Sequence, residues 1–266
     1  MKKLFAILLC IGMVAGMLMG GYMMITSLQD PKPTSTEKKE SEKSEPIYTT
    51  REKAYADLNS SLSQDEVKKR VKMNLDKEPF TSASEVKDPN SYTVLVNAYS
   101  KLPADYKPED LEPVSSIDPN YPVGLRKEAA QAFDTLVQEA KAHGFDLQAT
   151  NGFISNENIG MIQEDLKKEQ GDMVDDYVLL RPCFSEYQTG LAVDIAINGS
   201  SDFAKDDPNY TWLCEQLADH GFILRYPEGK EEYTLVPSMP AHLRYVGVDA
   251  ARQMAQNHET LEENLG

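Results

Sequence analysis

Cysteine is scarce in this chain, with three residues in 266, and so is histidine, with four. Three cysteines cannot make the dense disulfide framework on which a small secreted scaffold depends. Basic side chains are also short in supply: 27 Lys and Arg against 43 Asp and Glu leave a net charge of −16 and an isoelectric point near 4.7. A nucleic-acid partner requires a basic footprint, so that class is excluded, and the domain itself is not expected to dock on anionic lipid. No internal repeat is present.

One long hydrophobic run stands out. After Met1-Lys2-Lys3 the chain is apolar from Leu4 to Ile25, long enough to span a bilayer as a helix. A cleavable signal has a shorter apolar core and a small-residue cleavage site. Residues 1–27 are therefore expected to be a membrane anchor, with the two lysines holding the N-terminus in the cytoplasm and the rest outside. A secreted protein cut near Gly20 or Gly21 is the alternative. Residues 28–50, rich in Lys, Glu, Ser, Thr and Pro without apolar period, read as a flexible tether. Residues 51–89 read as a helical extension, in which Ser63-Gln64-Asp65-Glu66 has the form of a capping box ahead of Val67, Val71 and Leu75.

The densest chemistry lies in Ser185-Glu186-Tyr187-Gln188-Thr189-Gly190-Leu191-Ala192-Val193-Asp194. This run resembles the S-x-H-x-x-G-x-A-x-D signature of the VanY-type D-alanyl-D-alanine carboxypeptidases of the LAS group of zinc peptidases. Further stretches carry the resemblance, in order, over roughly residues 90–255: Val94-Leu95-Val96-Asn97, Tyr106-Lys107-Pro108-Glu109, Arg181-Pro182, Gly221-Phe222-Ile223-Leu224-Arg225-Tyr226-Pro227 and His242-Leu243-Arg244-Tyr245. It implies an α+β, LAS-peptidase-like domain with a central antiparallel sheet flanked by helices; the composition of residues 256–266 reads as an acidic tail after it.

The resemblance also assigns roles. Zinc ligands would stand at 187, 194 and 242; Asp194 and His242 are present, and Tyr187 replaces the first histidine. Phenolate is not among the usual zinc ligands, and a phenol must first lose a proton near pH 10. The general base would precede His242 by three residues, where Met239 stands, and a thioether accepts no proton at neutral pH. Glu231 and Glu232 are the nearest alternatives and read as solvated charges. The substrate arginine of the family is Ile154 here, within Asn151-Gly152-Phe153-Ile154-Ser155, and the family's tryptophan is Ala241. Ser155, Ser185, Gln188 and Ala241 complete the expected substrate pocket with Ile154.

These replacements fall on the chemistry and spare the scaffold. The reading that follows is a membrane-anchored, extracytoplasmic, catalytically degenerate carboxypeptidase-like module that binds peptidoglycan peptides or another envelope protein, with zinc weak or absent. A working zinc peptidase with an altered site and a regulator of a working homologue are the competing readings. Cys183 and Cys214 are expected to be free thiols. His143 and His220 each precede a glycine at an expected helix end and His258 lies in the acidic tail, leaving His242 as the one histidine set in a motif.

In outline, the resemblance implies strands at 92–97, 147–151, 191–197, 222–226, 232–236 and 242–246, and helices at 126–143, 156–168 and 209–220, with a short final helix; the apolar spacing of Ala130, Phe133, Val137 and Ala140 supports the first helix.

Overall fold

The computed structural model describes residues 47–204 and 206–265. The expected membrane anchor and most of the tether lie outside the described residues. Among the described residues no helix is long and apolar enough to cross a membrane. The chain divides into two compact units, up to Asp76 and from Lys77 onward.

The described part of the first unit is a pair of helices, α1 (Thr50–Leu58) and α2 (Gln64–Lys72). Thr49 caps α1 in a full capping box: its hydroxyl accepts from the Glu52 amide, and the Glu52 carboxylate accepts from the Thr49 amide. Ser63 caps α2 by accepting from the Glu66 amide. Val67 and Val71 are buried, one helical turn apart, whereas Leu75 lies past the end of α2. Arg51 forks onto Asp76 and ties the start of α1 to the end of the unit.

The second unit opens with two short pairings. β1 (Ser84–Glu85) lies parallel to β2 (Ser100–Lys101), and β3 (Leu111–Val114) is antiparallel to β4 (Val123–Arg126). α3 (Lys127–His143), β5 (Leu147–Asn151), α4 (Asn156–Gln170), β6 (Ala192–Ile197), α5 (Pro208–Gln216), β7 (Phe222–Leu224), α6 (Glu231–Thr234), β8 (His242–Tyr245), α7 (Val248–Asn257) and α8 (Leu261–Leu265) follow. The main sheet has the order β5-β6-β8-β7, and every neighbouring pair in it is antiparallel.

Period-two alternation decides which face each residue takes. Val193, Ile195 and Ile197 of β6 join Leu243 and Tyr245 of β8 and Phe222 of β7 in the main core. α3 covers this face through Ala129, Ala130, Phe133, Leu136 and Ala140, whose spacing is helical. Gly144 ends α3 in the left-handed conformation. The opposite parity puts Asp194 on the other face of β6, and His242 and Arg244 on the other face of β8. All three are nonetheless buried.

Two expected strands are absent. Residues 92–97 form no strand beyond an isolated bridge from Asn97 to Ser100. The reason is visible in their carbonyls: those of Tyr92 and Val94 accept from the Arg244 guanidinium at 3.1 and 2.8 Å instead of entering a ladder. Residues 232–236 give no strand either. Glu231–Thr234 turn helically and Leu235 closes the turn with φ of 57°. The Thr234 hydroxyl bonds the Val236 carbonyl and amide, which takes that backbone out of reach of a ladder.

Candidate active site

The sheet itself delivers the central pair. Asp194 and His242 are direct partners in the β6–β8 register. Asn151 is brought opposite Asp194 by an irregularity in the β5–β6 ladder between Ala149 and Asn151. One extra residue at this bulge turns the end of β5, as bulges do near sites.

Tyr187 arrives from the other side, on a 3-10 turn over Glu186–Thr189. That turn ends at Gly190 with φ of 67°. A Cβ at Gly190 would lie 3.0 Å from Leu111 and 3.1 Å from Arg126, and its carbonyl accepts from the Arg126 amide at 2.7 Å. Glycine is required both for the positive φ and for this close approach.

These elements bring three side chains together. His242 Nδ1 lies 2.7 Å from Asp194 Oδ1, and the Tyr187 hydroxyl donates to Asp194 Oδ2 at 2.7 Å. Asn151 adds a longer bond to the same Oδ2 at 3.4 Å. The Tyr187 ring stands edge-on to the imidazole, 5.2 Å between centroids, and the Tyr226 ring lies tilted against it at the same distance. Burial, reinforced by the Asp194 charge, pushes the Tyr187 phenol well above its ordinary pKa, so it remains a donor.

Behind the triad lies a buried ionic cluster that the motif reading passed over. Glu186 is fully buried and receives both Arg225 Nε at 2.8 Å and Arg244 Nη1 at 2.6 Å on one oxygen. Arg225 also forks onto Glu262 at 2.8 and 2.6 Å, and Asn97 donates to Glu262 at 3.3 Å. Burial would raise the Glu186 pKa, but the two guanidiniums outweigh it and hold the carboxyl well below its usual range.

The second Glu186 oxygen faces His242 Nε2 at 3.7 Å, too long for a hydrogen bond. Burial lowers the imidazole pKa, yet the carboxylates of Asp194 and Glu186 prevail and raise it. The signal for its two arginines was in the sequence: Arg244 stands between Leu243 and Tyr245 of β8, and Arg225 follows directly on the apolar β7.

The other expected site residues take varied places. Ile154 is buried, and its amide donates to the Tyr187 carbonyl at 3.2 Å, so it does lie beside the triad. Met239 is buried at the turn into β8, its carbonyl accepting from the His242 amide. Ala241 is partly buried against the main core. Ser155 caps α4 by accepting from the Asn158 amide. Gln188 is fully buried, bonded to the Cys183 amide and to Asn156. The buried Ser185 hydroxyl meets no hydrogen-bond partner among the described residues. Glu231 begins α6, and its carboxylate accepts from the Gly229 amide, while Glu232 is exposed on the same turn. Cys183 and Cys214 are both free thiols.

A VanY D-alanyl-D-alanine carboxypeptidase model matches residues 122–248, which span α3, the 3-10 turn and all four strands of the main sheet. The chain is 33% identical to YodJ of Bacillus subtilis (strain 168) over 67% of its length and 68% of that protein. It is 30% identical to the bifunctional D-Ala-D-Ala dipeptidase and carboxypeptidase VanXYC of Enterococcus gallinarum, covering 64% of this chain and 90% of that one. This chain belongs to the VanY D-alanyl-D-alanine carboxypeptidase family.

Solved structures agree with that membership. The LdcB LD-carboxypeptidase, described for its peptidoglycan recognition, superposes with a TM-score of 0.63 at 32% identity, covering 68% of this chain and 89% of that one. A mutant of the vancomycin-resistance D,D-pentapeptidase VanY, solved with Zn(II), gives 0.56 at 30% identity over 66% and 99%.

The residues present do not fit the zinc of that relative. Among the described residues no group of three or more His, Cys, Asp and Glu is placed to hold a metal. Asp194 and His242 bond each other directly at 2.7 Å, and the third position holds the Tyr187 phenol, which burial and the Asp194 charge keep protonated, so it offers zinc no lone pair as a thiolate or imidazole does.

Proposed function

We propose that this VanY-family chain is a cell-envelope module that binds peptidoglycan stem peptides without the zinc-dependent hydrolysis of its relatives. On this reading the apolar run 4–25 anchors it in the membrane with the domain outside. Family membership supports the ligand class, since relatives are named for D-Ala-D-Ala and for peptidoglycan recognition.

One observation carries the loss of chemistry. The residue at the turn into β8, beside His242, is Met239, and no thioether takes a proton from water. General-base catalysis contributes roughly a hundredfold to ten-thousandfold, and among the described residues no other carboxylate hydrogen-bonds to the triad: Glu186 is bound by two arginines and Glu231 is turned to its own loop. With Ile154 beside the triad in place of an arginine, a terminal carboxylate finds no bidentate partner there.

The test is release of D-Ala from a stem pentapeptide, with binding of the same peptide followed by NMR. Saturable binding without release is expected of the natural chain. Tyr187→His with Met239→Glu should give weak release, and adding Ile154→Arg should improve it mainly for peptides with a free terminal carboxylate. The gains should be far from additive, because such groups act as a unit. Release by the natural chain at the rate of the triple variant would make it an enzyme and end this reading.

A further inference from the structure

The family resemblance sets zinc ligands at positions 187, 194 and 242, which lie on three separate elements. In this chain the same three elements, β6, β8 and the 3-10 turn of residues 186–189, already meet through direct hydrogen bonds. Each oxygen of Asp194 is committed: Oδ1 to His242 Nδ1 at 2.7 Å, Oδ2 to the Tyr187 hydroxyl at 2.7 Å and to Asn151 at 3.4 Å.

His242 has no room to swing away. Tyr187 and Tyr226 pack on it, Asp194 holds one ring nitrogen and Glu186 faces the other. A metal entering between Asp194 and His242 would have to remove the shared proton and push the strands' side chains apart. It would also displace the phenol, which offers a bound proton in place of a lone pair suited to zinc.

We propose that Tyr187 is a built-in substitute for the metal: its hydroxyl, together with the Asp194–His242 bond, forms a metal-independent cross-tie that stabilises the domain and excludes zinc. The histidine-to-tyrosine replacement is then more than the loss of a ligand. It adds a donor that satisfies a buried carboxylate oxygen, and an unsatisfied buried acceptor is costly. The claim concerns how the site is held and stands or falls separately from peptide binding.

Thermal melting of the full-length chain, with EDTA or with added zinc, tests it. The natural chain is expected to melt within about 1 °C of the same temperature in both, on the scale at which a small free-energy change moves a domain of this size by about 2–4 °C. Tyr187→Phe keeps the ring and removes only the donor; its melting point should fall by several degrees and gain no response to zinc. Tyr187→His should melt lower in EDTA and recover as zinc is added. A natural chain that zinc raises, or EDTA lowers, by several degrees overturns the proposal, and so does a Tyr187→Phe variant that melts with the natural chain. Should either variant fail to fold, zinc titration of the natural chain against a chromophoric chelator decides alone. Submicromolar affinity sinks the idea, and no measurable competition upholds it.

Discussion

His242 shows how one side chain can depend on two neighbours at once. With both ring nitrogens directed at carboxylates, the imidazolium is favoured, and its pKa is raised over the ordinary value near 6.5. A raised histidine stabilises the fold fully below its unfolded pKa and loses that contribution as pH climbs through the folded value. The melting point should therefore decline from about pH 6.5 upward, more steeply than other groups would cause. His242→Gln should flatten that decline, and an equally steep decline in that variant would show that another group is responsible. The triad positions themselves were legible in the sequence, because Gly190, Ala192 and Asp194 fix the frame in which Tyr187 is out of place. Glu186 was not, because it occupies an unspecified position of the motif. Only the folded chain shows it buried under Arg225 and Arg244.

Among elements, α8 contributes more than its five residues suggest. Read from composition, the stretch after residue 255 is an acidic tail. In the structure Leu261 is fully buried and Glu262 is 2% exposed, with its carboxylate clamped by Arg225. Glu263 pairs with Lys230 and accepts from the Thr260 amide at the start of the turn. Glu262→Gln keeps the shape and removes the charge that balances Arg225. Breaking a buried pair by removing one partner costs about 3–5 kcal/mol, so urea unfolding should show a loss of that order. A loss under about 1 kcal/mol would mean that Glu186 alone suffices for Arg225.

The same contrast explains which elements could be read in advance. α3 and β6 have clean apolar periods and match their expected spans to within a residue. Residues 92–97 look like a strand, but a buried guanidinium uses their carbonyls. Local pattern does not reveal a hydrogen-bond partner 150 residues away.

For the whole molecule, charge is unevenly shared. Residues from Lys77 onward carry 33 acidic and 15 basic side chains, whereas residues 1–76 carry 10 and 12. The acidity thus belongs almost wholly to the carboxypeptidase-like unit. The membrane anchoring proposed above for the apolar run 4–25 has its own test. N-terminal sequencing of the membrane-extracted protein should find the apolar run retained. A mature start between residues 20 and 28 would mean a secreted protein instead.

The ionic cluster also has a consequence for how the chain is made. Glu186 emerges during synthesis 39 residues before Arg225 and 58 before Arg244, and Arg225 precedes its second carboxylate by 37. During that interval the early members have no buried partners and stay in water. The cluster therefore cannot be complete while the chain is growing through these residues. The four members Glu186, Arg225, Arg244 and Glu262 can be joined in one cluster only after residue 262 has been made.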